Sequence, residues 1–498
     1  MFCKNIIKKF VEIVSKYPES NAFCIDDTFY TYAFFWNLVC KQRTLIINQK
    51  LTDKKVGLVV NDDLFTYASI FAVWMEGMGY VPLHPKFPTD RNLEIIRQAE
   101  LHKVLDSNID SEFDDELVIQ TNACKSLKPT TRIIDVQDDS LAYILFTSGS
   151  TGQPKGVQIS FKNLDSFIDA FLDVGFKLDN TDRCLQCFDL TFDVSVQCFL
   201  VPLIHGACVY TVPHEQIKYS YVFGLLDDHD ITFGIFAPSM INMLKPYFDE
   251  IDLKKLRYSI LTAEASPIDL INEWAECIPN ARVFNFYGPT EATIYCTCYE
   301  FIRNSFVKEA NGMLAIGKPF KGVKAVILDG NLGIVDNGKK GEMYVSGNQV
   351  TQGYWKNHER NIEAFIELDY DGISHRFYKT GDLCLLDDDN DILYYGRLDN
   401  QVKIQGYRIE LGEIEFHARR TIGGKSAVAF IYQGQTGSDE IALCLETDKL
   451  DKNAIIISLK AKLPSYMIPT KIYNLDKFPL NTSDKVDRKQ LKELIIKL

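Results

Sequence analysis

The run Ala142-Tyr-Ile-Leu-Phe146 has strand character and leads directly into Thr147-Ser-Gly-Ser-Thr-Gly-Gln-Pro-Lys-Gly156. Glycines at 149, 152 and 156 permit tight turns and close backbone approach, so successive N–H groups can converge on one anion. The hydroxyls of Thr147, Ser148, Ser150 and Thr151, with the Lys155 ammonium, add donors. By composition this is a phosphate cradle. It is not a Walker loop, because no Gly-Lys-Ser or Gly-Lys-Thr follows at the required spacing. A flexible surface turn would not need hydroxyls alternating with glycines between two strands.

Around this loop, from about residue 54 to 400, short β-rich runs alternate with helical patterns, as βαβ units and parallel sheets require. Val56–Val60 reads as a buried strand, followed by a helical stretch through Met75 and a strand at Tyr80–Leu83. Thr89 and Asp90 cap a helix that places Leu93, Ile96 and Ala99 on one face, and Lys103–Leu105 returns as strand. Further strands are expected at Cys184–Phe188, Ile231–Phe236, Ser259–Thr262 and Arg282–Phe286. Beyond Gly312, turn signals such as Asp329-Gly-Asn-Leu-Gly and Asp387-Asp-Asp-Asn-Asp391 break short strands into a smaller β-rich subdomain. After Asp399 about 100 residues alternate strands and helices on their own and end in a Lys-rich helical tail. The expected class is α/β: a large N-terminal body of mixed and parallel sheets with helices plus a β-rich subdomain, residues 1–398. A small α+β C-terminal lobe, 399–498, completes it.

The 498 residues carry 54 Lys and Arg against 67 acidic residues, a formal net charge of −13. That balance argues against nucleic-acid binding, which needs clustered cations to displace counterions. At the N-terminus Phe2, Ile6, Phe10, Val11 and Val14 fall on one helical face, while Lys4, Lys8 and Lys9 interrupt any signal-peptide core. The most apolar window, Val194–Pro213, contains Gln197, Pro202, His205 and Gly206, and reads as core rather than a membrane span. Thirteen cysteines show only two close pairs, Cys184/Cys187 and Cys296/Cys298, without the second pair a zinc ribbon needs. Buried reduced thiols in a cytoplasmic protein are expected.

Thr147–Gly156 resembles the signature of the adenylate-forming enzymes: acyl-CoA synthetases, firefly luciferase and the adenylation domains of nonribosomal peptide synthetases. Other blocks follow in that family's order. They are Gly79-Tyr-Val-Pro-Leu83 with Pro85, Pro88 and Arg91, then Asn285-Phe-Tyr-Gly-Pro-Thr-Glu-Ala-Thr293, then Gly341-Glu-Met through Gly353-Tyr354. Tyr378–Leu383, Gly396–Arg408, Leu463–Pro469 and Asn481–Arg488 close the series.

The resemblance implies ATP and Mg²⁺ as cofactors. It assigns Thr147, Ser148, Gly149, Ser150, Thr151, Gly152 and Lys155 to the ATP phosphates. The loop Asn285, Phe286, Tyr287, Gly288, Pro289 and Thr290 goes to adenine, with Tyr287 stacking and Asn285 at the base edge. Asp382 would accept from both ribose hydroxyls, and Tyr394 and Arg397 would make further nucleotide contacts. Glu291 would ligate Mg²⁺. Lys485 would act with Thr147 and Glu291 in catalysis, its ammonium offsetting the charge that builds when a carboxylate attacks the α-phosphorus. Asp484 stands where the family has glycine beside this lysine. Asp399 would be the hinge of a mobile C-terminal lobe.

Amino-acid activators in the family carry an aspartate in a Phe-Asp-x-Ser block that pairs with the substrate ammonium. Two candidates occur, Phe188-Asp189 and Phe192-Asp193-Val-Ser195. Spacing to Gly206-Ala207 selects the second. Asp193 lies among Phe192, Val194 and Val196, with no Lys or Arg nearby in sequence. A buried carboxylate of that kind costs several kcal/mol unless a cation meets it. The rest of the pocket maps to Val194, Gln197, Ile235, Thr262, Phe286, Ile294 and Tyr295. The bulk of Thr262, Phe286 and Tyr295 favours a small neutral, alanine-like side chain. The chain ends thirteen residues after Lys485, so a separate carrier protein with a phosphopantetheine thiol is the expected acceptor, as for the stand-alone D-alanyl carrier protein ligases. The expected function is therefore ATP-dependent formation of an aminoacyl-AMP and its transfer to that thiol. The alternative is an acyl-CoA ligase for a non-amino acid, which Asp193 disfavours.

Overall fold

The computed structural model describes residues 3–132, 134–149, 153–434, 437–447, 451–479 and 486–496. The chain divides into two compact units. The first is Met1–Pro85, Ile96–Leu145 and Gly156–Leu398; the second joins Asp399–Leu498 to two earlier segments, Lys86–Ile95 and Phe146–Lys155.

A nine-stranded sheet runs in the order Lys318–Pro319, Thr297–Phe301, Arg282–Tyr287, Tyr258–Leu261, Phe233–Phe236, Arg183–Gln186, Cys208–Thr211, Asn21–Ile25, Thr28–Thr31. Its interior is parallel and its edges antiparallel. A six-stranded sheet orders Val118–Gln120, Val104–Asp106, Lys55–Val59, Gly79–Leu83, Leu141–Thr147 and Lys155–Ser160. Strands covered on both faces need apolar side chains at every position. Gly79–Leu83, Phe233–Phe236 and Tyr258–Leu261 accordingly have no exposed residue. The β-rich part of this unit is antiparallel, built from Val323–Leu328, Lys340–Gly347, Phe365–Tyr370, Ile373–Leu386 and Ile392–Arg397.

Helix Cys3–Lys16 buries Ile6, Phe10 and Val14 in the main core, with Val11 half-buried; Phe2 lies outside the described residues. Helix Leu64–Met75 is buried at all positions but Phe65 and is started by Asp63, which accepts from the Thr66 amide. The window Val194–Pro213 forms the end of a fully buried helix, Asp193–Leu203, and the strand Cys208–Thr211. Among the described residues no helix is long and apolar enough to cross a membrane. Twelve described cysteines are free thiols, and all but Cys298 are buried.

The second unit carries a three-stranded sheet of Ala427–Gln433, Asp439–Glu446 and Lys471–Leu475 and a hairpin of Gln401–Ile404 with Tyr407–Glu410. Helices Leu411–Thr421, Lys452–Lys460 and Arg488–Ile496 pack with them, the last being the Lys-rich tail. Helix Thr89–Ala99 turns a different face inward from the one its apolar spacing predicts. Leu93 is 46% exposed and Ile96 half-buried, whereas Arg91, Asn92, Ile95 and Ala99 are buried. The reason is an ion pair: Arg91 Nη1 lies 2.7 Å from Glu413 Oε1, and both side chains are out of solvent. A buried pair of this kind dictates which face turns inward, since breaking it leaves a charge without a partner.

Candidate active site

Helix Asp193–Leu203 begins where the chain leaves an extended Phe192, φ −113°. Asp193 is thereby placed in the first turn with its side chain 7% exposed. The Thr290 hydroxyl and the Val194 and Ile294 amides bond to this carboxylate, yet among the described residues Oδ2 has no hydrogen-bond partner. Burial lifts the carboxyl from 3.8 to about 6, with Glu291 adding to the rise and Thr290 opposing it. Asp189 is in the opposite condition. His84 Nε2 lies 2.8 Å from its Oδ2, and the Thr191 amide and hydroxyl donate to its Oδ1 at 2.9 and 2.7 Å. Burial works against the charge on Asp189, but His84 and the hydrogen bonds outweigh it and hold the carboxyl well below the usual range. Of the two Phe-Asp pairs, one aspartate is committed inside the protein and the other is left with an open oxygen.

The residues expected to line the substrate pocket, Val194, Gln197, Ile235, Thr262, Phe286, Ile294 and Tyr295, are all buried. The Phe286 ring belongs to an aromatic cluster with Phe171, Phe176, Phe284, Phe320 and Tyr295, centroids 5.2–6.0 Å apart. The backbone here is strained. Ala263, Thr293 and Ile294 adopt φ of +69°, +58° and +72°, a region costly for side chains branched at Cβ and one that clusters at functional sites. Gly288 is required for close approach, since a Cβ there would stand 2.5 Å from the Ile294 carbonyl oxygen.

The same unit gathers the residues of the expected nucleotide site. Arg397 Nη1 donates to Asp382 Oδ1 at 3.1 Å and to the Thr380 carbonyl at 2.7 Å. The Tyr287 hydroxyl donates to Asp382 Oδ2, and the Tyr394 ring stands 6.5 Å from that of Tyr287. Asn285 points inward: its oxygen accepts from Ser266 at 2.9 Å and its amide donates to the Ala315 carbonyl at 2.9 Å. Glu291 is fully buried, with the Tyr354 hydroxyl 2.7 Å from its Oε1. Pro289 and Thr290 are half-buried beside it.

In the second unit, the Thr147 hydroxyl oxygen is buried and has no hydrogen-bond partner among the described residues. Ser148 donates to the Arg408 carbonyl at 2.9 Å and accepts from the Glu410 amide at 3.2 Å. At Gly149 a Cβ would stand 2.0 Å from the Gln153 carbonyl oxygen, so only glycine fits that turn. Lys155 is half-buried at the head of its strand. Asp399 is exposed and accepts from the Gln401 amide at 3.0 Å. Ser150, Thr151, Gly152 and Lys485 lie outside the described residues.

A family profile described as AMP-binding enzyme matches residues 10–355. This chain is a member of the AMP-binding enzyme family. Its relatives include bacitracin synthase 3 of Bacillus licheniformis, 30% identical over 89% of this chain and 7% of that protein. A dimodular nonribosomal peptide synthase of Bacillus subtilis is 30% identical over 95% of this chain and 20% of its own length. The AMP-binding chain thus spans a small part of the curated relatives it matches. Among solved structures, the Vibrio cholerae adenylation domain AlmE, crystallised with glycyl-adenosine-5'-phosphate, shares the fold with a TM-score of 0.85. It is 24% identical over 99% of this chain and 97% of its own.

For an AMP-binding enzyme, several features of this site lie beyond sequence reasoning. His84, which bonds to Asp189, and Tyr354, which orients Glu291, carry no local signal because their partners lie 105 and 63 residues away. Thr290, expected at the nucleotide, reaches Asp193. The donor set also suits magnesium. That ion binds through one or two carboxylates and takes its remaining ligands from phosphate and water; a single buried, oriented glutamate meets the requirement.

Proposed function

We propose that the protein activates an amino acid with ATP, forming aminoacyl-AMP and pyrophosphate, and then passes the aminoacyl group to the phosphopantetheine thiol of a carrier protein. One observation carries the reading: the open Oδ2 of the buried Asp193. A buried carboxylate oxygen left open is destabilising unless a ligand cation completes it. The α-ammonium of an amino acid is that cation. A ligase for a non-amino acid has no use for it.

In this reading Thr147, Ser148, Gly149 and Lys155 serve as phosphate ligands, and Tyr287 and Asp382 as the adenine and ribose contacts. Glu291 holds Mg²⁺, which when bound draws charge from the phosphates. The packed walls at Thr262, Phe286 and Tyr295 favour a small neutral substrate of about alanine's size. The cytoplasm suits the free thiols. The test is to incubate purified protein with ATP and a panel of L- and D-amino acids, fatty acids and aryl acids, and to trap the acyl-AMP with hydroxylamine. Hydroxamates from small neutral amino acids support the reading; hydroxamates from fatty or aryl acids alone overturn it.

A pH dependence follows with a definite sign. The carboxylate binds the ammonium only when ionised, and its folded-state value is about 6 against 3.8 unperturbed. Amino-acid kcat/KM should therefore be level above that value and fall about tenfold per pH unit below it. A profile level between pH 5 and 7 contradicts the assignment. In the same window the folded form holds more protons than the unfolded one, so this group's contribution to stability declines as pH rises from 3.8 to about 6.

Asp399 is the hinge at which the C-terminal lobe turns between the two half-reactions. Asp399→Pro fixes φ near −65° and should depress either adenylation or thiol transfer by tenfold or more while sparing the other, read by separate assays. Wild-type rates in both would place the hinge elsewhere.

A further inference from the structure

Residues four apart on a helix share a face, about 5–6 Å between Cβ atoms. Helix Asp193–Leu203 thus presents Gln197 one turn beyond Asp193. The Gln197 side chain is buried, 1% exposed, and its two ends are in different conditions. Its Oε1 accepts from the Tyr295 hydroxyl at 3.5 Å. The amide oxygen thus faces Tyr295 and the NH₂ faces away from it. Among the described residues Gln197 Nε2, with both its protons, has no hydrogen-bond partner.

A buried donor left unmade is expensive, and native interiors keep few of them. Here an open acceptor, Asp193 Oδ2, and an open donor, Gln197 Nε2, stand on successive turns of one helix. Alanine satisfies the first through its α-ammonium, but its methyl group leaves the second empty. We infer that the amino acid held on Asp193 carries a side-chain hydroxyl that accepts from Gln197 Nε2, which makes Gln197 the residue that selects serine-like over alanine-like substrates. The inference rests on the amino-acid reading of Asp193 and narrows it, since a hydroxymethyl group still meets the size limit set by Thr262, Phe286 and Tyr295.

The deciding comparison is serine against 2-aminobutyrate, which matches serine in size and lacks the oxygen. Sites built to hydrogen-bond a substrate group reject analogues without it far more strongly than apolar pockets reject a size change. In ATP–pyrophosphate exchange the wild-type protein should favour serine in kcat/KM by at least about tenfold. Gln197→Leu, nearly the same volume, should erase that preference, bringing the ratio of serine to 2-aminobutyrate close to one. A wild-type ratio within twofold overturns the inference whatever the variant does, because it requires no mutant to fold. If amino acids exchange without regard to the side-chain oxygen, only the inference falls. If acids lacking the amine exchange and amino acids do not, the reading of Asp193 itself has failed and the inference falls with it.

Discussion

Asp193→Asn is expected to abolish exchange with every amino acid and, at the same time, to make the ligand-free protein more stable. The two effects have one origin. Asp193 is held in the interior with one oxygen unbonded, its carboxyl lifted from 3.8 to about 6 by burial. Removing one member of a buried ion pair costs about 3–5 kcal/mol, so kcat/KM should drop by a factor of about 10² to 10⁴. Without substrate the balance reverses. A shift of about two pKa units corresponds to an uncompensated charge costing on the order of 2–3 kcal/mol at neutral pH. Asparagine removes that charge while its Oδ1 still accepts from the helix amide. Urea unfolding at pH 7 should therefore show a higher midpoint for Asp193→Asn than for wild type. Loss of activity together with loss of stability would mean that Asp193 is a structural residue paired inside the fold.

Lys485→Ala should reduce adenylate formation by about 10² to 10³ and leave the transfer of preformed aminoacyl-AMP to a carrier thiol near the wild-type rate. Only the first step brings two negatively charged groups together at the α-phosphorus, so only that step needs a positioned ammonium. Thiol attack on the aminoacyl-AMP develops no such charge. The role is assigned from the Asn481–Arg488 block, in which Asp484 replaces the family's glycine. Pyrophosphate exchange reads the first step and thioester formation on carrier protein the second. Equal loss of both, in a variant with native unfolding behaviour, would remove Lys485 from this role.

The parallel strands of the large unit were legible because a strand covered on both faces must be apolar throughout. Gly79–Leu83 and Tyr258–Leu261 are such runs, and they lie within one or two residues of where their composition puts them. Helix Thr89–Ala99 was legible as a helix but its buried face was not. That face is set by Glu413, 322 residues from Arg91, and no local pattern encodes so distant a partner. Segments Lys86–Ile95 and Phe146–Lys155 join the second unit for the same kind of reason.

At the site, spacing separated Asp193 from Asp189, but the physical distinction is His84, which occupies Asp189 and leaves Asp193 open. The positive φ angles at Ala263, Thr293 and Ile294 gave no signal either, since none of these is glycine. Phe286 reads in the sequence as a pocket wall that truncation would enlarge. In the structure it is also the centre of an aromatic cluster, so its removal would cost core packing as well as change pocket volume.

The most direct test of amino-acid activation compares substrates that differ only in the amine. ATP–pyrophosphate exchange with wild-type protein should proceed with serine or alanine and be about 10² to 10⁴ slower, in kcat/KM, with 3-hydroxypropionate or propionate, whose missing ammonium leaves Asp193 without its cation. Exchange with the amine-free acids at rates equal to or above those of the amino acids would contradict the account.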